Sequence, residues 1–406
     1  MNPRNPPAPR LRTIVVAVVA ALAMAAAGVA DEIADRLRPH VGEVLDVVEL
    51  GSGKRLVRPL LERLVEAEGR VTALRLRPEG EKKVTSLALA GVVKIVADRE
   101  TVYETAPKGA TRQREQRQRE MKNAAAIERM RARGVEPWPE LSAEEHEAEV
   151  ERLERFVAEV QKLFPRLRVS RTHEFLVATD IPPNQMAPYV AKLDTMHDTL
   201  CDLYGIPRGE PVWKGKCLVI AFLAEADYVA FEARVMRVET RGTHGLCHQG
   251  SDGRVIMACH RGDDEAAFAH MLVHETSHGF NHRWLSPTRL PNWLNEGIAE
   301  WVAAKVVPTS NQVQLKEAVA ADFMRANGNL GPEFFERPNI APVQYGMASS
   351  MVRMLAGRDA RKFGGFVAAV KEGTPPEEAL RDAFKYDVDG LVQAYGKLVG
   401  VPALRR

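Results

Sequence analysis

His274-Glu275-Thr276-Ser277-His278 sets two imidazoles four residues apart, with a carboxylate directly after the first. Residues i and i+4 of a helix share a face, so both rings can bring a nitrogen to one metal ion, and zinc is the ion this pattern suits. Glu275 is then turned beside the metal, where it can take a proton from a water that the metal acidifies. A catalytic zinc needs a third protein ligand and an open fourth position. The string Trp293-Leu294-Asn295-Glu296-Gly297, with seventeen residues between His278 and Glu296, offers Glu296 as that ligand. Glu300, four residues further, shares its face and is read as the acceptor of the other ring proton of a ligand histidine. A solvated surface position is the alternative for each glutamate.

These residues need two helices to hold them. Asp263-Asp264 supplies an N-cap and a negative first turn, residues 265–273 carry good helix formers with an apolar face, and Gly279 offers a stop. His270 then lies on this helix and His282 beyond it, and both are read as core or cleft-wall residues. Pro291 opens the second helix, which runs over 293–306 until Pro308 ends it. Upstream, 244–260 reads as a β-hairpin around Asp252-Gly253.

The strings HETSH and NWLNEGIAEW resemble the gluzincin metallopeptidases, the clan of thermolysin and of the zinc aminopeptidases. The likeness covers about residues 165–400, with the motif-bearing part at 264–306. It implies an α+β catalytic domain built as a mixed sheet, an active-site helix and a helical C-terminal half. It also implies one zinc per chain on His274, His278 and Glu296, with Glu275 as general base. The aminopeptidases' Gly-x-Met-Glu-Asn string is absent, so the chain looks closer to an exported bacterial branch of the clan. The implied reaction is peptide hydrolysis by a zinc-activated water, with Glu275 passing the proton on to the leaving amine. Tyr345, forty-nine residues after Glu296, is the candidate oxyanion donor, a packed core tyrosine being the alternative. In this clan a strand before the zinc helix forms the cleft edge, which would give residues 254–259 that role. A non-catalytic zinc-containing binding or scaffold protein of the cell envelope is the alternative function. Glu275 argues against it, because zinc binding alone does not require a carboxylate there.

Residues 1–30 read as a secretory signal peptide: Arg4, Arg10 and Arg12 precede an apolar run at 14–27, and Ala26-Ala27-Gly28-Val29-Ala30 ends in small residues. A secreted or periplasmic protein is predicted, with an uncleaved N-terminal anchor as the alternative and no membrane span in the mature chain. Residues 41–105 alternate in short segments split by Gly51-Ser52-Gly53 and Pro78-Glu79-Gly80, a small β-rich module that resembles SH3-like or Sm-like folds. Within it, 58–66 stays open between strand and helix. Residues 106–163 are expected to be a charged helical linker, and 165–406 the zinc metallopeptidase domain. That domain is expected to begin with a strand at 168–179, a helix at 188–204 and a strand at 217–223. A formal net charge of +2 gives no drive towards nucleic acid, and the basic run at 111–120 has no aromatics for base stacking. The expected partner is a peptide or protein substrate. Among the four cysteines, a Cys247–Cys259 disulfide, or one using Cys201 or Cys217, stands beside free buried thiols.

Overall fold

The computed structural model describes residues 34–50, 54–67, 70–104, 121, 123–207, 209–240 and 242–406. The expected signal segment, the Gly51-Ser52-Gly53 turn and the basic run at 111–120 lie outside the described residues. The chain divides into two units, residues 1–118 and 119–406, and its architecture is mixed α+β.

In the first unit, β1 (Val47–Leu50), β2 (Arg55–Val57), β6 (Val92–Ala97) and β7 (Glu100–Glu104) form an antiparallel sheet of order β2-β1-β6-β7. The strands β3 (Leu60–Ala67), β4 (Arg70–Arg77) and β5 (Thr85–Ala88) form a second, three-stranded meander. Leu45, Val48, Leu61, Leu74, Leu76 and Ile95 are fully buried in one core. The ambiguity at 58–66 has a physical source. A bulge between Leu61 and Arg63 lets Leu61 and Leu64 face the same core from a strand, although their spacing of three reads as helical.

The second unit is built on a five-stranded mixed sheet of order β11-β12-β10-β9-β8. Its centre is parallel, formed by β9 (Phe175–Thr179), β10 (Cys217–Phe222) and β12 (Val255–His260), with β8 (Arg168–Arg171) and β11 (Gly245–Gln249) antiparallel at the edges. Residues 168–179 are thus a hairpin, where a single strand was expected. The turn is closed by Thr172, whose N–H donates to the Phe175 carbonyl at 2.8 Å and whose hydroxyl accepts from the Phe175 N–H at 3.0 Å. Helices surround the sheet, among them α1 (Ala143–Leu163), α2 (Pro183–Tyr204), α3 (Glu225–Phe231), α4 (Glu265–Arg283), α5 (Asn292–Val306), α6 (Gln312–Asn327), α7 (Gln344–Arg358), α8 (Ala360–Lys371), α9 (Pro376–Phe384) and α10 (Val388–Leu398). The helix expected at 188–204 starts earlier, at Pro183, and carries Pro188 in its interior. Among the described residues no helix is long and apolar enough to cross a membrane.

Strands β9 and β10 read FLVAT and CLVIAF and are buried on both faces, as parallel strands covered by helices must be. One face, with Phe175, Val177, Val219 and Met257, joins a core that includes Leu272, Val273 and Phe280 of α4. The other, with Leu176, Ala178, Leu218 and Ile220, packs with Leu153, Val157 and Val160 of α1. Helix α1 lies inside the stretch read as a linker, and its packing corrects that reading. Ser142 and Glu145 close a capping box at its start, and its buried stripe of Val150, Leu153, Val157 and Val160 hides among glutamates and arginines.

Two glycines set how closely the helices around the site approach. A Cβ on Gly346 of α7 would stand 2.1 Å from the Lys316 carbonyl oxygen of α6, and one on Gly297 of α5 would stand 2.5 Å from the Ala348 carbonyl oxygen of α7. Backbone cannot yield as a flexible side chain does. Gly346→Ala is therefore expected to destabilise the second unit by about 1–3 kcal/mol or more, read as a lower urea midpoint at unchanged m.

Candidate metal centre

The Asp264 carboxylate caps α4 by accepting from the N–H groups of Ala266 and Ala267, each at 2.9 Å. The helix does not stop at Gly279 but runs on to Arg283. Gly279 serves packing: a Cβ there would stand 2.5 Å from Val255 Cγ1 and 3.0 Å from Cys247 Sγ, so its absence lets the helix lie on β11 and β12. His282 consequently remains on the helix, in its last turn, with Nε2 3.0 Å from the Gly250 carbonyl oxygen and away from the metal ligands. Between the two motif histidines, the buried hydroxyls of Thr276 and Ser277 donate to the carbonyls of Leu272 and Val273, each at 2.7 Å.

His274 Nε2, His278 Nε2 and Glu296 Oε2 form a triangle with edges of 3.1, 3.4 and 3.4 Å. Ligands about 2.0–2.1 Å from a tetrahedral zinc stand roughly 3.3 Å apart, so the three atoms already have the spacing of a zinc coordination face. Burial works against the charge of Glu296, but the two imidazoles outweigh it and hold the carboxyl well below the usual carboxylate range. Burial likewise opposes the charge of His278, and Glu296 reverses that, raising the ring to about 9. Glu296 thus stays ionised between the two imidazoles. Two imidazole nitrogens and one carboxylate oxygen are donors that zinc accepts.

A further layer orients the ligands. Glu300 is fully buried, with Oε1 3.4 Å from His274 Nδ1 and Oε2 3.5 Å from His270 Nε2, and its Oε1 also accepts from Lys316 Nζ. Burial opposes its ionisation, and His270, His274 and Lys316 outweigh it to hold the carboxyl at about 2. A proton on His274 Nδ1 facing Glu300 leaves the Nε2 lone pair for a metal. His270, His274 and Glu300 also satisfy a metal-binding spacing, but they share His274 with the first triangle and form the outer face of the same imidazole. On the other side, the Tyr204 hydroxyl donates to Asn281 at 2.7 Å, and the Asn281 amide donates to Asn295 at 3.1 Å. Asn295 adds a weaker contact to His278, whose Nδ1 has no well-formed hydrogen bond. Asn292 reaches the second oxygen of Glu296 at 3.4 Å. Asn292, Asn295, His270 and Lys316 were missed as supports. The two asparagines stand four and one residues before Glu296, a local signal that could have found them.

His274, Glu275, Glu300 and Tyr345 line a common cavity of about 620 Å³. Tyr345 is the second residue of α7, and burial, followed by the carboxylates of Glu296, Glu275 and Glu300, pushes its phenol up to about 12. It remains a proton donor over the whole physiological range. His244 and His260 line the same cavity, with His244 Nδ1 3.1 Å from His260 Nε2. Strand β12, expected at the cleft edge, is paired on both sides, by β10 and by β11. Its ladder has no free side, and the edge beside α4 belongs to β11. All four cysteines are free, so the expected Cys247–Cys259 disulfide is not formed. In the β11–β12 register Cys247 faces Met257 while Cys259 faces Gly245, which sets the thiols diagonally.

No protein-family model matches the chain, and a search of curated proteins finds no similar sequence.

Proposed function

We propose that the second unit is a zinc-dependent peptidase of the gluzincin type, holding one zinc on His274, His278 and Glu296. The observation that carries this reading is the triangle of 3.1, 3.4 and 3.4 Å between the three ligand atoms, one of whose corners, His274, lines a cavity together with Glu275. Zinc held there supplies Lewis acidity, which brings the pKa of a water towards neutrality and polarises a peptide carbonyl. Glu275 accepts the proton of that water and returns it to the leaving amine. Tyr345 would donate a hydrogen bond from its phenolic hydroxyl to the oxygen on which charge develops. Glu300, facing the outer nitrogen of His274, would keep that imidazole turned to the metal. The unpaired edge of β11 offers an extended peptide main-chain hydrogen bonds beside α4. We further propose, from the pattern of residues 1–30, that the protein acts outside the cytoplasm.

The test is metal analysis of the purified chain and digestion of casein and a peptide library, each with and without a zinc chelator. One zinc per chain and chelator-sensitive cleavage are expected; cleavage indifferent to the chelator would sink the reading. Tight zinc binding without cleavage of any library member would favour the scaffold alternative. Tyr345→Phe is expected to lower kcat by about 10²–10³-fold, the scale of one lost oxyanion donor, with zinc affinity unchanged. A loss confined to KM would instead make Tyr345 a wall of the cavity.

A further inference from the structure

Glu296 lies on a different helix from the two histidines, so its distance from them depends on the packing of α5 on α4, including the Asn281–Asn295 bond, and on the chain that joins them. That chain, residues 284–291, contains Leu285 at φ 61°, a left-handed conformation costly for a branched side chain. Something outside the loop must hold it. Lys371, the last residue of α8, is only 1% exposed. Its ammonium donates to the Thr288 carbonyl at 2.8 Å and to the His282 carbonyl at 3.3 Å, and its own carbonyl accepts from the buried Ser286 hydroxyl at 2.5 Å. The last turn of α4 and the middle of the connection are therefore tied to one residue. Trp138 grips the same stretch: its indole N–H donates to the His282 carbonyl at 3.1 Å and its backbone N–H to the Leu285 carbonyl at 2.9 Å.

A buried lysine amine, which burial brings down to about 7, is an expensive way to fill space, since a methionine of similar size would pack there without loss of hydration. What the amine adds is two directional bonds, one to a carbonyl in the last turn of α4 and one to a carbonyl in the middle of the loop. We propose that Lys371 is a positioning residue for the third metal ligand, fixing the offset of the Glu296 helix from the HETSH helix. The proposal rests on the reading of His274, His278 and Glu296 as a zinc site. A tetrahedral ion tolerates ligand distances only within about 0.2 Å, so slack in this loop is felt directly at the metal.

The test measures zinc affinity of the full chain, by competition with a chromophoric chelator, in wild type, Lys371→Met, Glu296→Ala and the double variant. Lys371→Met is expected to weaken zinc by about 10–100-fold, the usual scale for a lost support of a ligand. In the Glu296→Ala background the same substitution should change affinity by no more than about twofold, because the lysine acts through Glu296. With cobalt(II) in place of zinc, Lys371→Met should also alter the visible d–d absorption while the far-UV circular dichroism stays unchanged. Wild-type affinity in Lys371→Met, or an equal loss in both backgrounds, overturns the proposal. Should Lys371→Met not fold, Ser286→Ala cuts the same clamp more gently and is read by the same cycle. A wild-type chain that binds no zinc, or zinc affinity indifferent to Glu296→Ala, would instead remove the zinc reading itself.

Discussion

Glu275→Gln should reduce peptide hydrolysis by about 10²–10⁴-fold, the range expected for loss of a positioned general base, and leave one zinc per chain. The amide matches the carboxylate in size but cannot accept a proton. Glu275 is half-buried on the cavity wall and belongs to neither the metal triangle nor the Glu300 cluster. Stability should therefore move by no more than about 0.5 kcal/mol, the usual range for substitutions away from packed or paired sites. The measurement is kcat/KM on the best library peptide beside metal content and a thermal melt. Retained hydrolysis would exclude Glu275 as the base. Lost hydrolysis accompanied by lost zinc would make it a structural part of the site.

Glu296→Ala is expected to have the largest effect on metal binding. It removes one corner of the triangle and the carboxylate that favours positive charge on His278. In the wild type, a ligand at a thousandfold excess over its Kd stabilises the folded state by about 4 kcal/mol. At roughly 2–4 °C per kcal/mol for a unit of this size, that is a rise in Tm of about 10 °C. The variant should lose most of this zinc-dependent rise and bind metal substoichiometrically after dialysis. Calorimetric melts of both proteins with zinc and with chelator check it. An unchanged zinc-dependent rise in Glu296→Ala would show that the metal sits elsewhere.

The grouping of His274, His278 and Glu296 was legible in the sequence because each part of it is local. A four-residue step fixes the histidine pair, Asp264 marks where their helix begins, and Pro291 and Pro308 bracket the helix of Glu296. What escaped depends on contacts across the fold. Gly279 looks like a helix stop in one dimension and is a packing notch against Val255 and Cys247 in three. The strand before the zinc helix reads as an edge until the order β11-β12-β10 places it inside the sheet. Helix α1 was legible as a helix, but its packing role was masked by composition, since four buried apolar residues in twenty-one do not stand out among so many charges. Nothing near Lys371 in sequence announces that a lysine there will be enclosed by a loop about ninety residues upstream.

The back of the sheet has a practical consequence for dissecting this chain. A fragment begun at residue 165, where the catalytic domain was expected to start, would lack α1 and strip cover from Leu176, Ala178, Leu218 and Ile220. It would also lack Trp138 from behind the HETSH helix and the paired contact of Arg129 with Glu372 at 2.7 and 2.9 Å. Such a truncation would present an apolar sheet face to solvent and self-associate during expression. A cut near residue 119 preserves that cover, so the shortest portion worth producing alone is longer than its recognisable motifs suggest.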